Sequence, residues 1–153
     1  MRQTYRVIAG LIALLVVVQA ASIVFAIAGL GYWIQEEGGV LDKAAMDSEV
    51  EFTGVVGFMI HGMSGTMLIP LVGLALLVVS FFAKVAHGIA YAGGIAVLIV
   101  LQIALGIMAH GIPLLGPLHG INAFILFSAA VLAYRAASTT RMPEAERLPA
   151  MSA

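Results

Sequence analysis

Apolar residues in this chain run in four long blocks, near residues 7–34, 53–83, 86–112 and 114–135, and polar positions gather between them. About 20 predominantly apolar residues suffice to cross a bilayer as a helix, so each block predicts a span. Helix is the expected form because hydrocarbon leaves every backbone polar group to be satisfied within the chain, and the alternation of a closed barrel is absent. Gly38-Gly39 and six acidic residues, Glu36, Glu37, Asp42, Asp47, Glu49 and Glu51, make 35–52 an exposed outer loop. Pro113 and Pro117 mark a short outer turn. The polar stretch 138–153, with Pro143 and Pro149, predicts a disordered tail. The first 25 or so residues have the outline of a signal peptide, but the apolar run continues to about Ile34 and is expected to stay as a span. The expected fold is all-α and integral to the membrane: a domain over 1–137 forming a four-transmembrane-helix bundle.

Composition agrees with this pattern and charge orients it. The chain has 153 residues, 62% hydrophobic and 10% charged, with a mean hydropathy of +1.10. Of seven Lys and Arg, only Lys43 falls in the long loop; Arg2, Arg6, Lys84, Arg135, Arg141 and Arg147 fall at the opposite end. The positive-inside rule then predicts a multi-pass protein with both termini in the cytoplasm. There is no cysteine, which excludes disulfides, iron–sulfur ligation and covalent haem attachment through Cys-x-x-Cys-His. The bilayer is the expected surrounding, and no nucleic-acid partner is expected.

Within these apolar blocks one phrase occurs twice: His61-Gly62-Met63-Ser64-Gly65 and His119-Gly120-Ile121-Asn122-Ala123. A glutamine stands on the run before each, Gln19 and Gln102. The chain therefore reads as two pseudo-repeated helical hairpins. Gln19 and His61 are 42 residues apart and Gln102 and His119 only 17, so the first hairpin carries an insertion in its connection. Pro70 predicts a kink in the second span, which either opens a cavity below His61 or adjusts packing.

At 100° per residue, the face around His61 holds Gly54, Gly57, Ser64, Gly65 and Leu68, and that around His119 holds Gly116, Asn122, Ala123 and Leu126. Small residues beside an imidazole suit the edge of a flat macrocycle. They also suit close packing of membrane helices, with histidines as interhelical hydrogen-bonding groups. Two histidines at equivalent positions tilt the reading toward a cofactor, because intramembrane ionisable groups are functional by default. Ser64 and Asn122 could bond a ring nitrogen or a propionate. Gln19 and Gln102 are candidates to orient the ligands. His110 shares a face with Gln102 and Gly106; it either binds a second group such as a quinone or propionate, or lies in the outer headgroup region. His87 reads as an interfacial residue or as a ligand to an inner-leaflet group. Met59, Met63 and Met67 suggest a thioether copper site, but Met59 and Met63 point about 200° from His61 and are better read as packing or lipid-facing.

No Asp, Glu, Lys or Arg falls deep in a span, which disfavours ion transport. No triad, carboxylate pair or phosphate loop supports hydrolysis. The segments Gln102-Ile103-Ala104-Leu105-Gly106 and Leu118-His119-Gly120-Ile121-Asn122-Ala123 resemble the last two helices of a haem A synthase-type four-helix unit. The chain is also similar, over nearly its whole length, to small four-span bacterial membrane proteins with a Gln…His…Gln…Leu-His-x-x-Asn-Ala layout. The resemblance implies residence in the bacterial inner membrane and a haem held by His61 and His119. It departs from the synthase at Gly57 and Gly62, where that pattern has Glu and Arg, and in being one half its size, so the implied role is haem binding rather than oxidation of a haem methyl group. The expectation is a bis-His haem b protein for electron transfer or haem handling, with His61, His119, Gly57, Gly65, Ser64, Asn122, Ala123, Gln19, Gln102 and His110 near the cofactor. Its partners would be a redox protein or quinone, in a homo-oligomer or larger membrane complex. A cofactor-free accessory subunit and an enzyme acting on haem or quinone are the alternatives.

Overall fold

All four apolar blocks are helical in the computed structural model, which describes residues 1–46, 48 and 50–138. The elements are α1 (Arg2–Glu36), α2 (Lys43–Met46), α3 (Val56–Met63), a π-helical turn (Ser64–Leu68), α4 (Ile69–Ser80), α5 (Gly88–Ala109) and α6 (Leu115–Ser138). With α3 through α4 counted as one continuous helix, four helices among the described residues are long and apolar enough to cross a membrane. Only 17–22% of the most apolar window in each is buried within the protein. The remaining apolar surface suits a lipid bilayer, and the chain has the build of a multi-pass membrane protein. Helix α1 starts and α6 ends several residues beyond the expected spans, and the expected outer loop contains the short α2. Residues 139–153, most of the expected disordered tail, lie outside the described residues, as do Asp47 and Glu49.

Helix α1 packs between α6 and the α3–α4 helix, and α5 packs between α4 and α6. The connections 81–87 and 110–114 are short, so successive spans run antiparallel. One end of the bundle thus gathers Arg2, Arg6, Lys84 and Arg135; we call it the basic end. The core fills the half nearer that end. Tyr5, Ile12, Leu76, Ile95 and Leu126 are its largest fully buried side chains, with Ala9, Ala92, Ala130 and Ala133 between them. Alanines at these crossings let the helices approach closely, which is how membrane helices gain contact without a hydrophobic driving force. The core stops at Val16, Ile69, Ile99 and Leu126. One turn further from the basic end stand Gln19, Ser64, Gln102 and Asn122, so the apolar core gives way to a polar layer.

The π turn decides which residue of the second span faces inward. Pro70 has no N–H to give and its ring crowds the carbonyl four residues earlier, at Thr66. The turn Ser64–Leu68 immediately precedes α4, in which Pro70 occupies the first turn. A π turn carries one residue more than an α turn, which shifts the register by about 100°. The disturbance expected at Pro70 takes this form, and it corrects one expectation. An uninterrupted helix puts Leu68 on the His61 face, but Leu68 is 43% exposed while Ile69 is 5% exposed. Ile69, Gly73, Leu76 and Ser80 form the buried line of α4. The extra residue rotates His61 onto that line. Hydroxyls of Ser64 and Thr66 donate to the Ile60 and Gly62 carbonyls in this stretch, the latter at 2.7 Å.

At the end of the bundle away from the basic end, α1 meets the start of α3 at very short range. A Cβ on Gly29 would lie 1.6 Å from the Thr53 carbonyl oxygen. Gly54 has φ +100°, a conformation open to glycine and costly for other residues. The long connection closes beside it through a stack of Trp33 on Phe52, ring centroids 6.0 Å apart.

Candidate functional site

Both repeated histidines lie in the polar layer, one on α3 and one on α6, and their ring centroids are 6.1 Å apart at an interplanar angle of 57°. Helices α3 and α6 are not neighbours in the bundle order, so the rings approach each other across its interior. Both rings are partly buried.

Each imidazole is held by a glutamine backbone. His61 Nδ1 donates to the Gln19 carbonyl of α1 at 3.0 Å. His119 Nδ1 donates to the Gln102 carbonyl of α5 at 3.0 Å. A carbonyl oxygen only accepts, so each ring carries its proton on Nδ1 and a lone pair on Nε2. The two lone pairs differ in their surroundings. The Gln102 side-chain amide donates to His119 Nε2 at 3.0 Å. Among the described residues no hydrogen bond engages His61 Nε2.

The other polar side chains fix the glutamines rather than the rings. Gln19 donates through its side-chain nitrogen to Ser64 Oγ. Asn122, 4% exposed, donates to Gln102 Oε1 at 2.6 Å and to the Leu98 carbonyl at 3.0 Å. Gln102 thus accepts from His119 on its backbone, accepts from Asn122 on its side chain, and donates back to the same imidazole. Burying Asn122 in this closed set leaves no polar atom stranded; among the described residues every buried side-chain nitrogen and oxygen has a partner.

Glycines make the room for these contacts. A Cβ on Gly106 would lie 3.0 Å from His119 Cε1, and one on Gly65 would lie 2.9 Å from Gln19 Oε1. Gly57 is seated against α1, where a Cβ would come 2.3 Å from the Ser22 carbonyl oxygen. Ala123 is half-buried against the core. His110 stands apart: it is exposed at the end of α5 and its Nδ1 lies 3.1 Å from the Gly106 carbonyl of its own helix. His87 is at the basic end, immediately before α5. Met59, Met63 and Met67 are 56%, 57% and 68% exposed, on the outside of the bundle.

The structure brings His61, His119, Gln19, Gln102, Ser64 and Asn122, all named as candidates from the sequence, into one layer. Sequence reasoning missed Gly106 as the seat of the His119 ring, although the position four residues after Gln102 offered a signal. It also missed the carbonyls of Gln19, Gln102 and Leu98, for which side-chain patterns carry no signal. Two imidazoles this close, both protonated on Nδ1, could hold one metal-centred group through Nε2; among the described residues no cluster of three or more His, Cys, Asp or Glu offers a larger donor set. Comparison with protein-family models, curated proteins and solved structures returned no match for this chain.

Proposed function

We propose that this chain is a membrane-embedded haem b protein with His61 and His119 as axial ligands, serving electron transfer or haem handling. The observation that carries the reading is the 6.1 Å between the ring centroids. An imidazole nitrogen sits about 2 Å from a bound transition metal and the ring centre about 1 Å beyond it, so two rings sharing one metal have centroids about 6 Å apart. Donation of both Nδ1 protons to backbone carbonyls also fits, since a metal-bound histidine typically anchors its other nitrogen in this way. Haem would supply one-electron chemistry, and His61 and His119 are the residues that would hold it. Gln19 and Gln102 would set ring orientation, with Ser64 and Asn122 restraining the glutamines. Ligation through His119 Nε2 requires the Gln102 amide to turn away from it. The two hairpins would be pseudo-repeats of one another, and the charge distribution supports a cytoplasmic basic end with residence in a bacterial inner membrane, as the resemblance to a haem A synthase-type unit implies.

A second reading has its own observation. The His119–Gln102–Asn122 set is complete without a ligand, as in a cofactor-free accessory subunit whose polar residues join its helices. Absorption of the detergent-purified protein, expressed with ample haem, separates the two. A Soret band is expected, abolished or shifted by His61→Ala and by His119→Ala and unchanged by His87→Ala. A wild-type protein that stays colourless refutes the haem assignment.

A further inference from the structure

Helix α1 changes partners along its length. Nearer the basic end, Ala9, Ile12, Ala13 and Val16 are buried in the common core, and a Cβ on Gly10 would lie 3.2 Å from the Tyr134 ring of α6. Beyond the polar layer its close contacts are with the start of α3 and the turn before it: Ser22 and Ala26 lie against Gly57, Phe25 against Gly54, and Gly29 against Thr53. By the 100° step, Ala20, Val24 and Ile27 continue the side of α1 that holds Ala9, Ala13 and Val16. That side is bare there. Ala20 is exposed, and Val24 and Ile27 are 65% and 57% exposed.

Helix α6 shows the matching change. On its α1 side Tyr134 meets Gly10, and Phe127 and Val131 pack on the core. Further from the basic end, a Cβ on Gly116 or Gly120 would meet open space among the described residues, and Phe124 is 77% exposed. Asn122 meanwhile ties α6 to α5 through Gln102 and the Leu98 carbonyl. With α1 turned to α3 and α6 held on α5, these two helices part beyond the layer. The result is an apolar cleft between Ala20, Val24 and Ile27 on one wall and Gly116, Gly120 and Phe124 on the other. It runs about 10 Å along α1 and opens sideways, where lipid surrounds the bundle.

What lies at its inner end identifies the occupant. Gly120 adjoins His119, so the cleft leads into the two-histidine layer, and the buried core at Val16 and Leu126 closes it toward the basic end. A porphyrin held between two imidazoles is wider than either ring and has to extend out of their layer. The core blocks one direction; the cleft leaves another free, with the apolar walls that such ligands favour and two glycines beside the path. We propose that this cleft is a lateral passage through which haem moves between the bilayer and the His61–His119 pair, so that the chain exchanges haem with the membrane. The passage presupposes the haem assignment, and its test keeps the two apart.

Haem exchange by the full chain in phosphatidylcholine vesicles tests it: uptake of added haem by the apo-protein, and release from the loaded protein to excess apomyoglobin, each followed at the Soret band. Gly120→Phe puts a ring in the cleft that passing haem must displace at a cost like that of overpacking a core, so uptake and release should both fall about tenfold with affinity unchanged. Gly94→Phe is the control. It adds the same bulk at an exposed position of α5 where a Cβ also meets open space, and both rates should stay within about twofold of the parent. Val24→Trp, on the opposite wall, should act as Gly120→Phe does and carries the test if that variant does not fold. Unchanged rates in both wall variants overturn the passage and leave the cleft to lipid or to a second copy of the chain. An equal fall in Gly94→Phe overturns it too, as does slower release with uptake unchanged, which would mean tighter binding rather than an obstructed path. A parent chain with no Soret band refutes the haem assignment itself, and the passage with it.

Discussion

Replacing Gly106 by alanine tests whether the His119 ring is held as tightly as its contacts indicate. The new Cβ would lie 3.0 Å from His119 Cε1 and 3.1 Å from Nδ1, whereas carbon atoms pack best at about 3.5–4.0 Å. The ring must therefore retreat from α5 by about half an ångström. Two 3.0 Å bonds to Gln102 of the same helix oppose that retreat. An interhelical hydrogen bond in a membrane protein contributes about 0.6 kcal/mol on average and up to about 1.7, so loss of both costs about 1–3 kcal/mol. Alanine returns up to about 1 kcal/mol by favouring helix. Gly93→Ala, on the same helix with nothing within 4 Å of the added Cβ, has that gain without the cost. The backbone term cancels between the two variants, and Gly106→Ala should be the less stable by about 1–3 kcal/mol. Unfolding in mixed micelles of rising dodecyl sulfate fraction, followed by far-ultraviolet circular dichroism and by fluorescence of Trp33, the single tryptophan, measures the difference. Coincident transitions would show that the ring yields freely and that its bonds to Gln102 do not hold it.

The π turn is open to labelling because the chain has no cysteine of its own: a lipid-soluble maleimide should modify Leu68→Cys and spare Ile69→Cys, and the reverse pattern would mean an uninterrupted helix. Gly29→Ala drives a Cβ to 1.6 Å from the Thr53 carbonyl oxygen, so the turn before α3 must move; overpacking of this kind costs about 1–3 kcal/mol. Gly31→Ala, with open space around its Cβ, has only the gain in helix propensity and should unfold no earlier than the parent, and equal behaviour of the two variants would remove the claimed contact between α1 and that turn.

The spans could be read from the sequence because bilayer crossing depends on length and apolar content, which survive any error in rotation. Inward and outward faces depend on every residue keeping its 100° step, and there the reading slipped at one place. The wheel centred on His61 chose Leu68 because it could not see the extra residue introduced ahead of Pro70. The proline itself was visible, but whether it yields a kink, a cavity or a π turn depends on where the displaced carbonyls find partners. Here the Ser64 and Thr66 hydroxyls cover the carbonyls of Ile60 and Gly62. On the fourth span, with no such interruption, the wheel placed Asn122 and Leu126 beside His119, and both are buried at 4% and 2% exposure.

The difference between the two histidines carries the last step. Their backbone anchors are alike, yet Ser64 and Asn122 act on their glutamines with opposite polarity. Ser64 accepts from the Gln19 amide, drawing that side chain's donor away from His61. Asn122 donates to the Gln102 oxygen, which turns the donor end of that amide toward His119 Nε2. A hydroxyl can accept where a carboxamide nitrogen can only donate, so the residue three positions after each histidine selects which end of the glutamine meets the ring. Among the described residues the lone pair of His61 has no hydrogen bond and that of His119 is covered. Under the proposed haem assignment, a group entering the layer between the rings would meet His61 first and displace Gln102 second, and the Gln102–Asn122 bond would then control completion of the two-histidine site.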